Sequence, residues 1–128
     1  MNISEVEIRQ IGPLVPNGCT LVAFLEERRV GHAHICVNDN LATLADIITA
    51  NDKQKWFTHF PFFKTEIIYR KKGIGSKLLR QVILLCKEND IKEIHGEIVG
   101  DFSYLIPWYK KIGFSITDGH KLILKLHL

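Results

Sequence analysis

Arg70, Lys71 and Lys72 bring three positive charges up to Gly73-Ile74-Gly75, and an amphipathic helical pattern starts at about Ser76. Two glycines one residue apart let a backbone approach a ligand closely and turn several N–H groups toward it. A helix start adds unpaired N–H groups and about half a positive charge. Together these features suit an anion, most simply a pyrophosphate. Two familiar phosphate motifs are excluded. No stretch reads Gly, four residues, then Gly-Lys-Ser/Thr. A dinucleotide fingerprint needs a third glycine, and Gly73-Ile74-Gly75-Ser76-Lys77-Leu78 ends in leucine.

The pattern that fits is Arg/Gln-x-x-Gly-x-Gly/Ala. It resembles the coenzyme A pyrophosphate loop of the GNAT N-acetyltransferase superfamily. A second segment, Trp108 to Phe114, reads W-Y-K-K-I-G-F and resembles the aromatic-Tyr-x-x-x-Gly-Phe segment that follows the loop in that superfamily. The 34 residues from Gly75 to Tyr109 leave room for a helix, a strand and a short connection. Upstream, Leu21 to Glu27, Arg28-Arg29 and Val30 to Val37 match the family's hairpin, with Gly31 in place, and Ala42 to Thr49 matches the strand leading into the loop. The resemblance spans roughly residues 20 to 127. It implies a mixed α/β (α+β) fold, a twisted sheet of six or seven strands with flanking helices. It implies acetyl-CoA as cosubstrate, no metal, and acetyl transfer to a primary amine by direct attack in a ternary complex. The amine is carried by a small molecule or a peptide. The resemblance puts Ile48, Thr49, Arg70, Lys71, Lys72, Gly73, Ile74, Gly75 and Ser76 at the coenzyme. The alternative is a non-catalytic module that binds acyl-CoA for regulation.

Transfer to an amine sets two proton problems. A free amine has a pKa near ~10.4, so about one molecule in a thousand is neutral at pH 7.4. Attack on a thioester needs that neutral form, which calls for a base or a desolvating site. The departing thiolate needs a proton, and a phenol with pKa near ~10 can supply it. The resemblance assigns that role to Tyr109. Many relatives carry a base glutamate directly ahead of an Asp in the strand before the loop. Here Asp46 follows Ala45, and strand alternation turns Asp46 away from the face of Ala45. Glu97, Glu66 and His59 remain as bases, and Glu97, relaying through water, is preferred.

These residues need a scaffold. A chain of 128 residues, 46% of them hydrophobic, forms one domain over 1–128 and buries about two-thirds of its unfolded surface. Ile3 to Ile11 reads as a strand, followed by a turn-rich link and a hairpin turning near Arg28 and Arg29. Asn38-Asp39-Asn40 is a second turn. Ser76 to about Glu88 is a helix with Leu78, Leu79, Val82, Leu85 and Cys86 inside. Ile91 to Val99 is a strand. Ser103 to Ile112 is a helix, with Pro107 near its start and Gly113 placed for a left-handed end. Phe114 to Thr117 and Lys121 to His127 form a closing hairpin around Asp118-Gly119.

Charge and cysteines narrow the class. Five of the 17 basic residues lie between Arg70 and Arg80, which favours a small polyanion over nucleic acid, with Lys77 and Arg80 on a solvated helix face. Cys19, Cys36 and Cys86 sit in apolar sequence, as buried free thiols of a reducing compartment. With no signal pattern in M-N-I-S-E-V-E-I-R and no membrane-length apolar run, a cytoplasmic location is expected. Two departures from the family stand out. Only about eight residues, Gly12 to Cys19, separate the first two strands, too few for the usual acceptor-shaping helices. An extra segment, Ala50 to Ile68, carries Trp56, Phe57, His59, Phe60, Phe62 and Phe63. It is expected to wall the acceptor site or to make a homodimer contact completing that wall, with core filling as the competing role. An alternative register makes Phe63 to Tyr69 the strand entering the loop.

Overall fold

The computed structural model describes residues 6–49, 73–98 and 102–126. Four strands come first: β1 (Glu7–Ile11), β2 (Gly18–Leu25), β3 (Arg28–Asn38) and β4 (Leu41–Thr49). Helix α1 (Ile74–Glu88), β5 (Glu93–Glu97), helix α2 (Phe102–Ile112), β6 (Ser115–Thr117) and β7 (Lys121–Lys125) complete the order. The strands form one seven-stranded sheet in the order β1-β2-β3-β4-β5-β7-β6. Only β4 and β5 run parallel; every other pair is antiparallel. The α+β fold, the mixed sheet and the short N-terminal link are therefore as expected. The segment 50–68, with its aromatic residues, and the alternative strand Phe63–Tyr69 lie outside the described residues.

The link between β1 and β2 is a tight turn. Leu14 is buried, Gly18 donates its N–H to the Leu14 carbonyl at 2.6 Å, and Val37 donates to the Asn17 carbonyl at 3.0 Å. Gly18 has φ 116°, and a Cβ there would stand 2.1 Å from the Ile35 carbonyl oxygen, so only glycine fits. The next hairpin turns two residues earlier than expected, at Glu26 and Glu27 rather than Arg28 and Arg29. Both glutamates have positive φ, 50° and 64°, the signature of a two-residue type I′ turn. Glutamate does not favour that conformation. The turn is imposed by register, which pairs Leu21 with Ala33 and Cys19 with Ile35 on the covered face.

Helix α1 buries Ile74, Leu78, Leu79, Val82, Leu85 and Cys86 against β2, β3 and β4. All five residues expected on its inner face are there. It ends where Asp90, at φ 60°, takes the left-handed position: Asp90 donates to the Lys87 carbonyl and Ile91 to the Cys86 carbonyl. Ile91 and Cys86 are both buried, the apolar contact that accompanies such an end. Ile91 thus closes the helix, and β5 begins two residues later than expected. Helix α2 has Pro107 in its interior, not near its start, and so lacks one helical N–H there. Its own end repeats the motif with Gly113 at φ 125°. Cys19 and Cys86 are buried free thiols, whereas Cys36 is exposed, against expectation. Burial and the neighbouring Cys19 thiol push Cys86 up to about 12.

Candidate functional site

Three features of α1, α2 and the β4–β5 pair bear on a ligand site. The first is the start of α1. Gly73 is its N-cap, at φ 81° and ψ 27°, and no side chain caps the helix. The first intrahelical bond runs from Lys77 N–H to the Gly73 carbonyl at 2.9 Å. The N–H groups of Gly73, Ile74, Gly75 and Ser76 precede it and have no place in the helical ladder. No acidic residue sits in the first turn. Among the described residues, nothing lies within 4 Å of a Cβ built on Gly73. The helix begins two residues earlier than expected, which moves Gly75 from a loop into its first turn. Lys77 is not simply solvated: its Nζ–H donates to the Val6 carbonyl and ties α1 to the approach of β1.

The second feature is the Trp-Tyr segment on α2. Trp108 Nε1–H donates to Ser76 Oγ at 2.8 Å, so one hydrogen bond joins two motifs 32 residues apart. Tyr109 is 5% exposed. Its ring meets Phe114 edge-on at 5.6 Å and Trp108 at 4.7 Å. The spacing Tyr-x-x-x-Gly-Phe has a local cause. Gly113 donates to the Lys110 carbonyl at 3.1 Å and Phe114 to the Tyr109 carbonyl at 3.1 Å, a Schellman end. The Tyr109–Phe114 ring pair is its apolar clasp. This end fixes the tyrosine in the corner between α2 and β6.

The third feature is the opening between β4 and β5. Their ladder pairs Leu41 with Glu93 and stops at Leu44 with Gly96. β4 runs on to Thr49 beside β3 alone, the divergence that a cleft requires. At this point β4 also bulges. Ile35 pairs with Leu44 and His34 with Asp46, which leaves Ala45 without an opposite residue in either ladder.

A groove of about 420 Å³ opens here, lined among others by Thr43, Ala45, His95, Glu97, Thr117 and Lys121. Register puts it on the face away from α1. Thr43, His95, Ile123 and Ser115 form one row, and Glu97, Lys121 and Thr117 the next. The helix-covered face carries Leu44, Gly96, Leu122 and Ile116. Within the groove, His95 Nε2 lies 2.7 Å from Glu93 Oε1.

The expected site residues divide as follows. Gly73, Ile74, Gly75 and Ser76 form one helix start, and Glu97 lines the groove. Ile48 and Thr49 end β4, paired with His32 and Gly31. Arg70, Lys71, Lys72, His59 and Glu66 lie outside the described residues. Sequence reasoning missed the groove residues His95 and Thr43 and the Ser76–Trp108 bond. Glu93-x-His95 on a predicted strand places two side chains on one face and was the available signal. Among the described residues, no three His, Cys, Asp or Glu side chains group to hold a metal, and no helix is long and apolar enough to cross a membrane.

Comparison with known proteins agrees with this fold. The family model of the acetyltransferase (GNAT) family matches residues 4–114, and the chain belongs to that family. No curated protein matches the chain. Among solved structures it is similar to the PaiA N-acetyltransferase of Thermoplasma acidophilum in complex with coenzyme A. That match has 24% identity and a TM-score of 0.60, covering 84% of this chain and 58% of that one. It is similar to an IAA acetyltransferase from Bacillus cereus ATCC 14579, with 17% identity and a TM-score of 0.70, covering 94% and 99%. A GNAT family acetyltransferase from Elizabethkingia anophelis with acetyl-CoA bound gives 16% identity and a TM-score of 0.70, covering 95% and 99%. At these identities the likeness is one of fold.

Proposed function

We propose that this GNAT-family chain transfers an acetyl group from acetyl-CoA to a primary amine by direct attack in a ternary complex. The observation that carries the reading is the tie between the two motifs. An uncapped, glycine-entered helix start is bound through Ser76 to Trp108, next to Tyr109, beside the strand opening. On this reading the N–H groups of Gly73 to Ser76 hold the pyrophosphate. Arg70, Lys71 and Lys72 add charge, and the ends of β4 at Ile48 and Thr49 flank the pantetheine arm. The fit rests on the left-handed backbone at Gly73. Coenzyme A and acetyl-CoA occupy relatives of the same fold.

The amine enters through the groove. Glu97 draws in the ammonium and, through a water, receives a proton from it. The neutral nitrogen attacks the thioester carbonyl carbon. The carbon–sulfur bond breaks as the intermediate collapses, and the Tyr109 hydroxyl protonates the thiolate. The acceptor is a small molecule or a peptide, and a second copy of the chain is a candidate to complete the acceptor wall. The test is incubation with acetyl-CoA and a panel of primary amines, recording free thiol. Acetyl-CoA binding in calorimetry with no thiol release from any amine would favour the second reading, a non-catalytic acyl-CoA-binding module. One observation favours that alternative: the Tyr109 ring already serves as the apolar clasp of a helix end.

A further inference from the structure

The groove holds a pair that the acetyl-transfer reading leaves unused. His95 lines it one residue before the β4–β5 ladder ends, opposite Thr43. Glu93, two residues back on the same strand face, lies outside the lining and reaches His95 Nε2 with Oε1 at 2.7 Å. An ionised carboxylate only accepts, so Nε2 carries the hydrogen and donates it. The neutral ring then keeps its lone pair on Nδ1. A carboxylate behind an imidazole fixes the tautomer and the orientation of the ring, and so presents the Nδ1 lone pair to take a proton.

We propose that His95, positioned by Glu93, is the proton acceptor for the incoming amine, and that Glu97 serves as the counter-charge that holds the ammonium beside it. This rests on the acetyl-transfer reading and refines the part given there to Glu97. The proton balance is complete. The ammonium loses one proton to His95 Nδ1, directly or through one water, and His95 later releases it to solvent. The nitrogen's second proton leaves as the carbon–sulfur bond breaks and passes through solvent to the Tyr109 phenolate, which has just given its own proton to the thiolate. Among the described residues, the other charged groups on this face of the adjoining strands are Glu97 on β5 and Lys121 and Lys125 on β7; β4 contributes Thr43. Glu97, at the end of the strand and nearest the opening, is the group placed to meet a cation entering the cleft.

Two measurements on the full chain test this, one of them independent of activity. In the free protein, imidazole nitrogen resonances should report the Nε2–H tautomer for neutral His95. Glu93→Gln, whose side-chain amide can donate as well as accept, should remove that bias and give a mixture of tautomers. With acetyl-CoA and an accepted amine, His95→Gln should lower turnover at pH 7 by about a hundredfold or more, with a much smaller loss near pH 10, where the amine is neutral unaided. Glu93→Gln should lower turnover at pH 7 and recover it near pH 10, as His95→Gln does, which a purely structural contact would not do. Glu97→Gln should chiefly raise the amine KM. Wild-type turnover and pH profile in His95→Gln, or an unaltered His95 tautomer in Glu93→Gln, would overturn the proposal. A wild-type protein that binds acetyl-CoA but releases no thiol with any amine would overturn the acetyl-transfer reading itself, and the base role with it. The tautomer would then still report whether the pair exists.

Discussion

One face of β4, β5 and β7 presents Leu44, Gly96 and Leu122, of which the two leucines belong to the buried core, while the opposite face presents Thr43, His95, Glu97 and Lys121. One set of strands thus carries two chemistries, separated by the period-two alternation of a strand. The covered face is dry and holds the fold together. The groove face is polar, and its side chains are free to differ without unfolding the sheet. The bulge at Ala45 and the end of the β4–β5 ladder break the sheet between the two faces. On the proposed reading, a thioester bound from the helix start is met by an amine from the groove at this break.

The sharpest test of this comparison is Tyr109→Phe. Tyr109 belongs by packing to the dry face, yet it is assigned chemistry. The variant keeps the ring clasp with Phe114 and loses the proton donor. Turnover should fall about a hundred- to ten-thousand-fold while acetyl-CoA affinity is kept. Unaltered turnover across the pH range would make Tyr109 a packing residue and leave the thiolate to water.

Next in size is Leu79→Ala on the covered face. Leu79 is fully buried, and its truncation should destabilise the fold by about 2–5 kcal/mol in denaturant unfolding. Glu97→Gln on the groove face should change stability by less than about 0.5 kcal/mol while altering acceptor kinetics. If the two variants cost the same stability, the division between the faces fails.

Trp108→Phe probes the tie between the motifs. It removes the donor to Ser76 and should lower stability by about 1 kcal/mol. It should also weaken acetyl-CoA binding, because the start of α1 loses its anchor. Unchanged calorimetric affinity would mean that the helix start is held in place without it.

The smallest effect is expected at the thiols. Cys36 is exposed and should react quickly with a disulfide reagent, whereas buried Cys19 and Cys86 should not. Burial raises Cys86 from an ordinary 9.0 to about 12. Its folded value lies above its unfolded one, so its contribution to stability is complete below pH 9 and is lost as pH rises from about 9 toward 12. Melting temperature should fall across that window, and less steeply in Cys86→Ala. An equal slope in both would assign the alkaline loss to other groups.

The glycine-entered helix start and the Trp-Tyr segment were legible because each is local. A glycine pair before an amphipathic run and a tyrosine four residues before a glycine state their own backbone requirements within a few positions. The inner face of α1 was equally legible from its 3.6-residue period. The Glu26–Glu27 turn was not. Its residues do not ask for positive φ, and only the pairing of β2 with β3 imposes it.

The sequence by itself determined the order of elements, the glycine-entered helix start and the ring that clasps the end of α2. Each depends on contacts between residues close in the chain. The tertiary structure decided where the β4–β5 ladder stops, that Ala45 bulges at that point, that Trp108 reaches Ser76, and that Glu93 stands behind His95 in a groove. A parallel pair brings β4 beside β5 only after the chain between them has crossed over the sheet. Register between strands so far apart in sequence is set by side-chain packing across the whole sheet, which no local pattern contains.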